Sequence, residues 1–265
     1  MGNRGTRAAN ARKLLILLLV IALIIIEIVF NLLGDDSWLT YHLYLCLSRF
    51  VGAAVCIVFM IEFSFNEVLR PLGNKSLRAL WAIFPAFIVA INNFPFVSFA
   101  FGDCSIKAPI SEVLVYALFC VSVGAFEELA FRGCVFMALL KRRTNSRKDI
   151  FIAIFLSSAV FGAIHLVNLL TASSVAVILQ IGYSALIGAL CSLVLLATKN
   201  IWLCVSLHSA YNFLGNIVSE LGTGQMWTVP QIIFTAVVAL VVAVYSVWFF
   251  FKFPVDKAKE LYQKD

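Results

Sequence analysis

Eight apolar runs dominate the chain, near residues 14–33, 43–65, 79–101, 110–140, 150–169, 174–197, 201–219 and 230–252. At about 1.5 Å of rise per residue, each is long enough as a helix to cross, with its flanks, a hydrocarbon core of about 30 Å. A chain with 62% hydrophobic and only 13% charged residues cannot hide that much apolar surface in a water-soluble core. The expected fold class is therefore all-α: a polytopic membrane protein of about eight transmembrane helices, the fourth the longest and the seventh the least hydrophobic. No soluble domain, long linker, low-complexity tract or internal repeat interrupts the pattern, so residues 1–265 read as a single transmembrane domain.

The charges sort by loop. Arg4, Arg7, Arg12 and Lys13 precede the first run, which resembles a signal sequence but is too long for an h-region and lacks a small-x-small cleavage pattern; it reads as a retained helix. Arg70, Lys75 and Arg78, the cluster from Lys141 to Lys148, Lys199, and the tail from Lys252 to Lys264 all fall on the same side as that N-terminus if eight spans are present. The alternate loops hold Asp35, Asp36, Asp103, Glu112 and Glu220, with Lys107 as their one clear cation. The positive-inside rule then makes both termini cytoplasmic. The net charge of +6 is topogenic, calls for no nucleic acid, and suits contact with anionic lipid headgroups. The seven cysteines are scattered, show no CxxC or zinc-knuckle spacing, and read as small packing residues.

Ionisable groups at membrane depth must face protein or a wet cavity, because lipid offers no hydrogen bonds. Glu27 and Glu62 have no obvious partner close by in the sequence and read as structural or interfacial. The segment VGAFEELAFRGCVF, residues 123–136, is different. Glu128 and Arg132 stand four apart with the acid first, a spacing that lets them pair on one helix face. Glu127 is rotated by about 100° and has Ala130 and Phe131 where a local cation would stand, so its partner must come from another helix. His165, four residues after Phe161 and next to the small pair Gly162-Ala163, is one candidate. His208 and Asn212, four apart on the seventh run, share a direction and supply another. The third histidine, His42, falls in an outer loop.

Counted from the cytoplasmic loops, Glu127 lies roughly 21 Å deep, His165 roughly 24 Å, Asn212 roughly 19 Å and His208 roughly 13 Å. The first three agree, whereas His208 is shallower. Asn92 and Asn93 precede Phe94-Pro95 in the third run, where proline disrupts the helix. They fit a satisfied kink, a helix–helix contact, or a wall of a substrate cavity that binds an extended peptide.

Glu127-Glu128-x-x-x-Arg132, Phe161-x-x-x-His165 and His208-x-x-x-Asn212, in that order and each within a span, resemble the three motifs of the CAAX-protease and bacteriocin-processing (CPBP, or Abi) family of intramembrane proteases, which includes type 2-like CAAX prenyl proteases. The resemblance covers roughly residues 110–220. Its chemistry is consistent with the residue types: peptide hydrolysis needs an activated water, and a buried carboxylate outside its neighbour's ion pair suits a general base. Glu127 is that candidate. What the resemblance implies is that Glu127 and His165 hold and activate the water while His208 and Asn212 donate to the oxyanion. Glu128 and Arg132 match the same motif and are assigned to orienting the helix and fixing the local field, and Phe161 is expected at the substrate. It implies no catalytic metal. The same side chains also compose a zinc set, Glu127/His165/His208, which stays open as the minority reading.

The expected function is an endopeptidase acting on a membrane-associated peptide or lipidated protein. A non-catalytic immunity protein that binds a peptide toxin and a proton-coupled transporter are the alternatives, although no paired interrupted helices in corresponding halves favour transport. Compact loops lean toward a prokaryotic plasma membrane. The expected partners are membrane lipid and substrate.

Overall fold

The computed structural model describes residues 37–262 other than 143 and 171, together with Ile21 and Ile25. Apart from Ile21 and Ile25, the expected first span, Glu27 included, lies outside the described residues. Helix α1 (Trp38–Glu62) starts where the Ser37 hydroxyl accepts the Thr40 N–H at 3.3 Å. The helix thus begins before the apolar run, and His42 is a buried helical residue rather than a loop residue. Its Nδ1 donates to the Trp38 carbonyl at 2.8 Å and its ring meets Phe119 edge-on. Glu62 ends the helix and is exposed.

The third apolar run is broken. Helix α2 (Asn74–Ile83) and helix α3 (Pro85–Asn92) meet at 68°, because Pro85 has no N–H to continue the α2 ladder and serves as the first residue of α3. A second interruption at Pro95 leads into the short α4 (Phe96–Ala100). Backbone groups freed there at membrane depth need partners. Gln231 supplies them: its Oε1 accepts the Val97 N–H at 2.8 Å and its Nε2 donates to the Phe94 carbonyl at 3.5 Å. A three-residue strand, β1 (Cys104–Ile106), pairs antiparallel with β2 (Gly222–Gly224), so the all-α expectation is amended by one small ribbon.

Helix α5 (Ile110–Glu128) passes through a π-helical stretch, Leu129–Phe136, into α6 (Met137–Arg142); together they make the long span Ile110–Arg142. A capping box between Ser146 and Asp149 starts α7 (Arg147–Ile164), which tightens into a 3-10 turn over His165–Leu170. Helix α8 (Ser174–Thr198) ends at Lys199 in the left-handed conformation, with φ of 54°. Helix α9 (Ile201–Leu221) is capped by Asn200, and α10 (Val229–Lys252) and α11 (Val255–Lys259) complete the described chain.

Among the described residues five helices are long and apolar enough to cross a membrane: α1, α5 through α6, α7 with its 3-10 extension, α8 and α10. The bent pair α2/α3 makes up to six. Helix α9 forms where the seventh run was expected, but the helices that pass this measure do not include it; His208, Asn212, Asn216, Ser219 and Glu220 dilute its apolar length.

Helix α5 packs against α1 and α9, and α7 against α8. The α5–α9 approach is close because residue 124 is glycine: a Cβ there would strike the Ser209 hydroxyl and lie 3.0 Å from the Val205 carbonyl. Gly162 likewise faces the Ile181 carbonyl across α7 and α8. All seven cysteines are free, and six of them are buried.

The two ends of the bundle differ in charge. At one end Asn200 donates to the Arg70 carbonyl at 2.9 Å, Trp202 to the Leu69 carbonyl at 3.0 Å, and Lys199 pairs with Glu260. At the other, the N–H of Lys107 donates to the Leu221 carbonyl at 3.0 Å and that of Gln225 to the Asp103 carbonyl at 2.9 Å.

Candidate active site

Successive residues on α5 point apart by about 100°, and the bundle gives Glu127 and Glu128 different surroundings. Glu128 is fully buried. Its Oε1 accepts Arg132 Nη1 at 3.0 Å, as the four-residue spacing requires, and also His208 Nδ1 at 2.7 Å. A carboxylate only accepts, so Nδ1 of His208 carries a proton. Glu127 keeps a quarter of its side chain exposed, and its Oε2 lies 3.5 Å from His208 Nε2. His208 therefore stands between the two acids, one nitrogen on each.

Arg132 lies in the π-helical stretch, a rare geometry that concentrates at functional sites. Its Nε donates to the Gly188 carbonyl at 3.3 Å, and its guanidinium lies 4.5 Å from the centre of the Phe161 ring. Residue 188 must be glycine for this, because a Cβ would collide with Nη2 of Arg132. The charge of Glu128 is thus met by a cation that three elements hold in place.

His165 sits where α7 tightens into the 3-10 turn. Its Nδ1 donates to the Phe161 carbonyl at 3.0 Å, leaving Nε2 as the nitrogen open to the cavity. Phe161 is 1% exposed and stands edge-to-face with both imidazoles, at 5.4 Å from His165 and 5.6 Å from His208. Its position corrects the expectation of substrate contact: it is the buried spacer that sets the two histidine rings and carries Arg132.

Glu127, His165, His208 and Asn212 line one cavity of about 720 Å³. The shallower depth counted for His208 did not separate it from Glu127, since a helix crossing places side chains at different counts side by side. Asn92 and Asn93 are not among the cavity-lining residues. Asn92 Nδ2 donates to the Thr235 carbonyl at 3.2 Å and Asn93 Nδ2 to the Tyr211 carbonyl at 2.9 Å, so both amides are helix–helix contacts at the kink rather than a substrate wall. Sequence reasoning missed Tyr183 and Tyr211, which line the cavity with ring centres 6.2 Å apart, and also Asn216 and Glu220. The last two were legible as a continuation of the four-residue step from His208 and Asn212. The zinc alternative required Glu127, His165 and His208 to converge; among the described residues no three His, Cys, Asp or Glu side chains are grouped so as to hold a metal ion.

A buried carboxylate ion-paired to arginine, an imidazole held by it, and a second carboxylate beside that imidazole on the wall of a cavity define a membrane protein with an acid–imidazole centre. Residues 109–214 match the family described as Rce1-like, the type II CAAX prenyl endopeptidase Rce1-like family. The match contains every centre residue from Glu127 to Asn212. No curated protein and no solved structure matches the chain.

Proposed function

We propose that the protein is an intramembrane endopeptidase that hydrolyses a peptide bond of a membrane-associated peptide or lipidated protein by a glutamate-activated water. The observation that carries this reading is the Glu127–His208–Glu128 array, at 3.5 and 2.7 Å, opening on the cavity that His165 and Asn212 also line. With Nδ1 of His208 donating to Glu128, its Nε2 faces Glu127 Oε2, and Glu127, outside the Glu128–Arg132 pair and open to the cavity, is the carboxylate placed to take a proton from water.

In this mechanism water binds between Glu127 and Nε2 of His165. Glu127 accepts its proton as the oxygen attacks the carbonyl carbon, then returns that proton to the leaving amine. His208 Nε2–H and the Asn212 amide donate to the oxyanion, each worth about 2.7–4 kcal/mol if it matches a typical oxyanion-hole donor. Glu128 and Arg132 are positioning residues that keep the His208 ring in register. The Rce1-like match supports the peptidase class, and buried, apolar lining beside the polar centre suits a substrate with a lipid-soluble part.

Glu127→Gln preserves shape and removes the base. Peptides from membranes of cells carrying the native chain and this variant, compared by mass spectrometry, should differ by loss of processed products, with a rate reduction of at least 100-fold. Processing that persists in the variant overturns the assignment of the base, and activity that is lost on chelation and regained with stoichiometric zinc overturns the metal-free mechanism.

A further inference from the structure

Helix α3 runs antiparallel along α10. Asn92 donates to the Thr235 carbonyl and the Tyr245 hydroxyl donates to the Ala82 carbonyl at 2.5 Å, so ten residues back along one segment match ten forward along the other. Helix α10 is among those fit to cross a membrane, so α3 follows the crossing direction, and α2, bent from it by 68°, lies nearly in the membrane plane. The bend is level with Tyr245, about two turns before Lys252 at the basic end. Three faces of α2 then carry different side chains. At about 100° per residue, Ser76, Ala79, Leu80 and Ile83 share the more buried face, turned to α8. Leu77, Trp81 and Phe84 share a second face, with exposures of 42, 78 and 41%. Asn74, Lys75 and Arg78 share a third, also exposed. An exposed apolar stripe beside a basic one on a helix in the membrane plane is the pattern of an interfacial helix, with its aromatic ring at headgroup level. Glu67, Glu260 and Asp256 at this end already pair with Arg70, Lys199 and Lys259, whereas Lys75 and Arg78 form no salt bridge among the described residues.

We propose that α2 is an in-plane anchor that binds anionic lipid headgroups in the leaflet at the basic end. Leu77, Trp81 and Phe84 sink into the acyl boundary, and Lys75 and Arg78 reach the phosphates. Lipid phosphate is the anion found at that depth, and its attraction for an exposed cation is screened by salt. The third apolar run then begins its crossing at Pro85, and α2 belongs to no span. This assignment is independent of what the cavity hydrolyses.

The test reads depth and lipid choice. Leu77→Cys, Arg78→Cys and Phe84→Cys proteins carry a nitroxide label in vesicles containing phosphatidylglycerol, with the unsubstituted chain as the background for its native cysteines. The labels at positions 77 and 84 should collide with dissolved oxygen at one depth, within about 3 Å of each other, and the label at 78 with a water-soluble nickel chelate. If α2 begins the crossing instead, the label at 84 lies about 10 Å deeper than that at 77, and the proposal is overturned. The paired substitution Lys75→Gln and Arg78→Gln should lower the preference of the protein surface for spin-labelled phosphatidylglycerol over phosphatidylcholine by roughly twofold or more, as should high salt on the native chain. A preference that neither change moves overturns the assignment of the headgroup.

Discussion

At the scale of residues, the two adjacent glutamates show how environment divides identical chemistry. Glu128 is sealed from solvent with Arg132 and His208 on one oxygen, whereas Glu127 retains access to the cavity. Their replacements should therefore separate stability from activity. Glu128→Ala leaves Arg132 as a buried cation without its counter-charge, which costs about 3–5 kcal/mol and should lower the thermal midpoint in detergent by many degrees. Glu127→Gln, facing the cavity, should leave that midpoint within a few degrees of the native protein while removing turnover. Equal thermal loss in the two variants would contradict the burial pattern. The Glu128–Arg132 pair was legible from its spacing. The bond from Glu128 to His208 was not, because it spans 80 residues and depends on the α5–α9 approach that Gly124 allows.

At the scale of elements, the broken third span shows how a membrane bundle tolerates proline. The interruption after Asn93 frees the Phe94 carbonyl and the Val97 N–H, and Gln231 from α10 meets both while donating also to the Thr235 hydroxyl at 2.9 Å. Gln231 is fully buried. The Phe94 carbonyl also accepts the Phe96 N–H at 2.8 Å, so Gln231→Leu should orphan the Val97 N–H alone, at a cost of about 1–3 kcal/mol, read as a lower thermal midpoint and faster amide exchange around Val97. Unchanged exchange there would show that the kink finds its partners elsewhere. Pro85 and Pro95 announced the breaks in the sequence. Which distant side chain closes them depended on α10 lying beside α3 and α4.

At the scale of the whole molecule, the basic end is fastened by the contact of Lys199 with Glu260, outside the apolar spans. The lysine hydrogen bond holds the Glu260 carboxyl below its ordinary value. A carboxyl lowered on folding contributes stability above its unfolded value, near 4.5, and loses it as pH falls through the folded value. Both side chains are well exposed, so the contribution is under about 1 kcal/mol and screened by salt. Thermal midpoints measured from pH 6 down to about pH 3 should fall slightly less in Glu260→Gln than in the native protein, and the difference should fade at high salt. A difference that grows with salt would rule out an ionic origin.

Read along the chain, apolar run length made this a helical membrane protein, since only long apolar segments with internally paired backbones survive in lipid. The order of the loop charges distinguished its two ends, and the spacing of acids, imidazoles and amides singled out Glu127, His165, His208 and Asn212. Tertiary structure alone decided that His208 is held between two carboxylates, that Phe161 lies behind the histidines, and that Asn92 and Asn93 bind helices together. Hydropathy and spacing act within one helix, over a few residues. Which faces meet across the bundle is set by close packing at positions such as Gly124 and Gly188, and that is a property of the assembled helices.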